Sequence, residues 1–153
     1  MSYKITMKNE AVQYEAPGHF ECKTTRLHNP ADVNNGTIVM GLSHFLPGGG
    51  ANMAPANFEM VYYVQKGEMT VSLDDGKDYV LHAGDSLHFG PGTGRACKNT
   101  GVECAEMITK ICSALLRRLC NMGYSLFKIY IRTKCIIIKN KKLSTVSSIF
   151  KFF

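Results

Sequence analysis

Residues 111–153 contain no aspartate or glutamate, yet they carry nine lysines and arginines. The first 110 residues hold the other nine basic residues and all twelve acidic ones, so they are net −3 against +9 for the remainder. The overall +6 is thus an average over two unlike parts, and so sharp an asymmetry marks a boundary near Ile111. No uncharged apolar run reaches the roughly 18 residues of a membrane span. Met1-Ser-Tyr-Lys-Ile-Thr-Met lacks the long apolar core of a secretory leader. The six cysteines (22, 97, 104, 112, 120, 135) include no CxxC and no pairing with histidine at zinc-finger distance. Reduced thiols in a cytoplasmic protein are expected, rather than a disulfide framework. No internal repeat or heptad is visible, and no helix longer than a turn is expected before residue 111. With 153 residues, there is room for one domain and a sizeable core.

What is present is strand and turn. Met60–Asn99 contains three β-type runs, Val61–Val64, Met69–Leu73 and Ser86–Phe89. They are divided by turn signals at Lys66-Gly67, Asp75-Gly76, Ala83-Gly84-Asp85 and Gly90-Pro91-Gly92. Short strands separated by such turns predict an all-β sandwich or barrel. Upstream, residues 1–20 read as an edge strand plus a loop, and His19–Arg26 alternates loosely. Asn29-Pro30 and Asn34-Asn35-Gly36 are turns, and Thr37–Phe45 predicts a strand stopped by Pro47-Gly48-Gly49-Gly50. Residues 51–59 are short on strand formers apart from Phe58. Val102–Ile111 predicts a last strand that closes the sheet.

These residues resemble the cupin family of small jelly-roll β-barrels, over about residues 37–110. The family's first motif has the form G-(x)5-H-x-H-(x)3,4-E-(x)6-G, and its second G-(x)5-P-x-G-(x)2-H-(x)3-N. Pro47-Gly48-Gly49 and the run from Tyr62 to Glu68 look like the frame of the first. Gly84-Asp85-Ser86-Leu87-His88-Phe89, with Gly92 and Asn99, looks like that of the second. By the family's spacing, the metal-binding glutamate falls on Met60 and the paired histidines on Ala54 and Ala56 (or Met53 and Pro55). The second motif's proline becomes Gly90 and its metal histidine becomes Arg95. Alanine offers no lone pair, methionine only a soft thioether, and arginine a permanent positive charge. Glu59 adjoins the glutamate position, but strand parity turns it to the opposite face. No metal and no other cofactor is therefore expected. The resemblance implies a homodimer.

Parity from Met60 places Tyr62 and Val64 on the pocket face, and parity from Arg95 places Cys97 there too. Arg95, Tyr62, Met60, Cys97 and His44 are the candidate ligand-binding residues. A guanidinium in a concave, partly apolar pocket suits a carboxylate or phosphate, whereas at the barrel mouth it would pair with a surface acid. His44, His88 and Tyr62 are the catalytic candidates, since histidine titrates near neutral pH. His44 shares a face with Ile38, Met40 and Leu42, and that apolar company predicts core or pocket lining. His88 faces either way from sequence. Tyr62 is read as a hydrogen-bond donor or acid, or as a packed core tyrosine. Cys97, beside Arg95 and Lys98, is either a thiol of lowered pKa or a small buried one. His82 adjoins a turn and is expected in solvent. Asp74-Asp75-Gly76 reads as a hairpin tip, without EF-hand spacing.

Two domains follow: a barrel over 1–111 and a basic extension over 112–153. The extension places Leu115, Leu119, Met122 and Leu126 at helical spacing, as an amphipathic helix would. Its composition is also that of an A/T-rich stretch translated out of frame. The functional expectation is a metal-independent cupin that binds a small anionic ligand, a carboxylate or sugar acid. An alternative is a metal-free isomerase, epimerase or lyase on a carbohydrate-like or hydroxy-acid substrate. Another is a degenerate structural barrel. The partner expected is a small molecule, with no nucleic acid.

Overall fold

The computed structural model describes residues 2–112; residues 113–153, which hold nearly all of the expected extension, lie outside them. The strands, in chain order, are β1 (Val12–Tyr14), β2 (His19–His28), β3 (Ile38–Pro55), β4 (Glu59–Lys66), β5 (Glu68–Leu73), β6 (Asp78–His82), β7 (Ser86–Phe89), β8 (Gly94–Lys98) and β9 (Ala105–Cys112). All pairings are antiparallel. The order is β6-β5-β8-β3-β9-β4-β7, with β2 also on β3 and β1 on β2. The sheet curls into a nearly closed barrel whose two leaves face each other. A 3-10 turn at Pro30–Asp32 sits between β2 and β3. Among the described residues no helix is long and apolar enough to cross a membrane.

The core follows the period-two alternation of its strands. Met60, Tyr62 and Val64 of β4, Met69 and Val71 of β5, and Ala105 and Met107 of β9 all point inward beside Phe45. The last strand starts at Ala105, later than Val102, which lies 93% exposed in the preceding bend.

The Pro47–Gly50 run, expected to stop a strand, instead lies within one. β3 is 18 residues long and passes straight through it. Before the run, Ile38–Phe45 pairs with β9; after it, Gly50–Pro55 pairs with β8. The strand changes partner without ending, and so carries the chain from one leaf to the other. Glycine makes the corner possible because backbones come together there. A Cβ on Gly49 would fall on the Glu21 carbonyl oxygen, and one on Gly50 on that of Cys97. Gly48 adopts φ +81, the left-handed region that glycine enters without strain. The turn-forming composition does not end the strand; it bends it between leaves.

Asn99 clamps this corner. It is 1% exposed, and its Nδ2 donates to the carbonyls of Phe45 (2.9 Å) and Glu103 (2.7 Å). Its Oδ1 accepts from Gly101 N at 3.0 Å. Its backbone N–H donates to Gly49 O at 2.8 Å and its carbonyl accepts from Gly48 N at 2.9 Å.

Gly50→Ala should cost more than about 2 kcal/mol, read as a fall in the urea midpoint. Gly90→Ala, where a Cβ meets nothing within 4 Å, should stay within about 0.5 kcal/mol. Asn99→Ala strips the partner from buried carbonyls and should cost about 3 kcal/mol in the same measurement.

Candidate functional site

Register decides which side chains meet inside. On one leaf the inner face carries Val12, Arg26, Gly41, Thr109, Tyr62 and Leu87 side by side across β1, β2, β3, β9, β4 and β7. On the facing leaf Leu73, Arg95 and Ala54 form a row across β5, β8 and β3. A bulge precedes that row: Ala51 pairs with Cys97 and Ala54 with Arg95, so Asn52 and Met53 together oppose Ala96.

Arg95 bridges the leaves. Its Nε donates to the Tyr62 hydroxyl at 3.2 Å and its Nη1 to the Ala54 carbonyl at 2.5 Å. Its guanidinium carbon lies 6.0 Å from the Phe89 ring centre, and Phe89 meets Tyr62 edge-on at 4.9 Å. Among the described residues no ion pair joins Arg95 to a carboxylate. A half-buried guanidinium held in place, yet not neutralised, is a ready anion partner.

Tyr62 is 5% exposed. Burial pushes its phenol up from the ordinary value, and the nearby Arg95 charge offsets only part of that. It is therefore neutral at pH 7: its oxygen accepts from Arg95 while its own proton remains available to donate. Met60 and Ala56 are buried in the core beside it.

Cys97 lies on the inner face two residues from Arg95. Burial pushes its thiol up to about 11, outweighing the lowering by the Ala51 backbone and by Arg95. Of the two expected states, the structure has the small buried thiol and not the activated one. The proximity of Arg95 loses to desolvation.

The two histidines lie elsewhere. Gly41, Ser43 and Phe45 are buried in β3, so His44 points outward, with Nε2 at 3.8 Å from Glu106 Oε1. Its expected place in the pocket is thus corrected: Leu42 is apolar because the outside of this leaf is apolar too, where it stands beside Ile108 and Tyr63. His88 also faces outward, 63% exposed at its side chain, with Nε2 at 3.0 Å from Glu59 Oε1. Neither converges with Tyr62 and Arg95. Glu59 takes the outer face expected from parity. His82 ends β6 in solvent, 3.4 Å from Glu68 Oε2. Asp75 caps the β5–β6 hairpin, accepting from Lys77 N and the Tyr79 hydroxyl, each at 3.0 Å.

Two inner residues escaped the sequence reading. Arg26 faces inward because Thr24, two residues before it, is buried at 4% exposure. Tyr14 reaches across the same face, its ring 4.3 Å beneath the Arg26 guanidinium. Strand parity would have found both, but the bulge between Phe20 and Cys22 breaks the count in β2.

The family's metal positions can be tested against this geometry. Ala54 is the cross-strand neighbour of Arg95, and Ala56 and Met60 are packed in the core. These residues present no imidazole and no carboxylate, and they include a fixed cation. The set does not fit a divalent metal. Among the described residues no group of three or more histidine, cysteine, aspartate or glutamate side chains is placed to hold one.

The Cys97 shift carries a sign. A folded-state pKa above the unfolded value gives stability that is present below about pH 9 and is lost as pH rises through about 11. Wild type should lose up to about 3 kcal/mol more than Cys97→Ala across that interval, read from denaturant midpoints at pH 8 and 11. At pH 8, Cys97 should also resist a thiol reagent until the protein unfolds.

Comparison with known proteins agrees with the topology. The cupin domain model matches residues 41–111. The β-D-galactosidase of Mycobacterium tuberculosis is 38% identical over 96 residues, covering 63% of this chain and 82% of that protein. An RmlC-like cupin from Shewanella frigidimarina superposes with a TM-score of 0.59 at 21% identity, covering 74% of this chain and 93% of that one. A predicted oxalate decarboxylase from Thermotoga maritima gives a TM-score of 0.61 at 18% identity, covering 72% and 99%. The aligned relative, the matching domain and the shared barrel agree: the chain belongs to the cupin superfamily.

Proposed function

We propose that the barrel binds a small anionic ligand of sugar-acid type without a metal. The observation that carries this is Arg95: half-buried on the inner face, fixed by Tyr62 and Ala54, and free of any carboxylate among the described residues. A ligand carboxylate would take the remaining guanidinium donors, and the Tyr62 proton would serve a second ligand oxygen. Phe89 supplies an apolar wall for a sugar face. The sugar part of the reading draws on the relative named as a β-D-galactosidase.

The same relative favours a second reading, turnover of a galactoside-like substrate. Glycoside hydrolysis ordinarily uses paired carboxylates, and the inner-face rows around Arg95 contain none. An isomerase, epimerase or lyase built on His44 or His88 loses support from their outward placement. Tyr62 is the inner-face acid left for such chemistry.

D-Galactonate should raise the melting temperature of the wild-type protein, equally before and after dialysis against a chelator. Arg95→Gln should weaken galactonate binding by about tenfold or more, and Tyr62→Phe by less. A chelator-sensitive shift would overturn metal independence, and an unchanged Arg95→Gln titration would overturn the assigned anchor. Nitrophenyl-galactoside hydrolysis abolished in Tyr62→Phe would select the second reading.

A further inference from the structure

We infer that the inner face holds a second anion anchor, Arg26 with Tyr14, and that the ligand is accordingly a short hydroxylated dianion of the aldaric-acid class. This rests on Arg95 being the first anchor.

Arg26 stands in the same inner row as Tyr62, separated from it only by Gly41 and Thr109. Adjacent strands are about 4.8 Å apart, so the backbone positions of Arg26 and Tyr62 lie roughly 14 Å apart. By strand parity both side chains lie on the inner face, and Arg95 reaches that face at Tyr62. The two guanidiniums therefore occupy opposite sides of one lining.

Among the described residues Arg26 pairs with no carboxylate, and its guanidinium lies 4.3 Å from the Tyr14 ring centre. A guanidinium stacked on a ring face is held flat, leaving its in-plane N–H donors unused. Tyr14 is itself fixed at its backbone, where its carbonyl accepts from the Thr24 hydroxyl. Its phenol lies over Gly41, 3.3 Å from where a Cβ would stand. Glycine there gives the hydroxyl room, and among the described residues that hydroxyl has no hydrogen-bond partner. Thr109, next in the row, likewise has a hydroxyl without a partner among the described residues.

From Arg26 past the overlying Tyr14, Thr109 and Tyr62 to Arg95 on the facing leaf, the chemistry is cation, phenol, alcohol, phenol, cation. Neither cation has an acid partner among the described residues, so an anion at each would gain a charge-assisted hydrogen bond. The hydroxyls between match a polyhydroxylated chain better than an apolar one, because an apolar ligand would strip them of water without replacing it. A sugar diacid meets all three conditions: a carboxylate at each end and alcohols in the middle.

The test uses D-galactarate, with two carboxylates, and D-galactonate, with one, titrated calorimetrically into the full chain at low salt. Wild type should bind galactarate at least about tenfold more tightly than galactonate. Arg26→Gln should abolish that preference while leaving galactonate within about twofold, and Arg26→Lys should restore part of it. Arg95→Gln should weaken both ligands. An unchanged galactarate preference in Arg26→Gln, with both ligands weakened by Arg95→Gln, overturns the second anchor and leaves the proposed function standing. Both ligands unaffected by Arg95→Gln, or no binding of either by wild type, overturns both. A melting curve for each variant separates lost binding from lost folding. A folded Arg26→Gln that loses galactonate as strongly as galactarate also overturns the assignment, since Arg26 would then serve the first carboxylate.

Discussion

The corner of β3 governs this barrel, and a single buried amide secures it. Asn99 joins the carbonyl at the end of the first half of β3 to the turn before β9, while its own backbone grips Gly48 and Gly49. Because one continuous strand belongs to both leaves, the registers of the leaves are not independent. Fixing Phe45 against Ala105 and Gly50 against Lys98 determines what faces what across the interior. A buried polar group is tolerable only when its hydrogen-bonding capacity is used, and Asn99 uses its donors and its acceptor oxygen together. The Arg95–Tyr62 bond is downstream of this constraint: it exists because β8 and β4 are delivered to facing positions.

Within that frame, the lining has exchanged one electrostatic character for another. A metal site gathers anionic and neutral donors around a cation; here the protein supplies the cation as Arg95. In the reading proposed above, that cation is what the ligand's negative charge meets. Burial raises the Cys97 thiol and the Tyr62 phenol, so both stay neutral beside that guanidinium.

The fold was legible because its signals are local. Turn residues and alternating apolar positions mark β4, β5 and β7, and parity along β4 and β8 assigns Tyr62 and Arg95 to one face without any knowledge of distance. What was not legible depended on pairing between remote segments. Nothing in Pro47–Gly50 alone distinguishes a strand end from a corner; the difference lies in Glu21 and Cys97, whose carbonyls occupy the space above the glycines. His44 was misplaced because the exterior of its leaf is also apolar, so hydrophobic company did not identify the inside. Arg26 was hidden by a bulge that shifts parity partway along β2, where Glu21 adopts φ 45.

The bulge in β3 opposite Ala96 has an evolutionary consequence. Between the pairs Ala51–Cys97 and Ala54–Arg95 the ladder does not dictate how many residues the strand must contain. Loss of either Asn52 or Met53 would remove the bulge and leave Ala51–Cys97, Ala54–Arg95 and Pro55–Gly94 paired as they are. Most of the barrel is closed to such length changes, since a shift elsewhere would turn a whole strand inside out. Here the strand can change length by one residue and still keep Ala54 beside Arg95 in the lining.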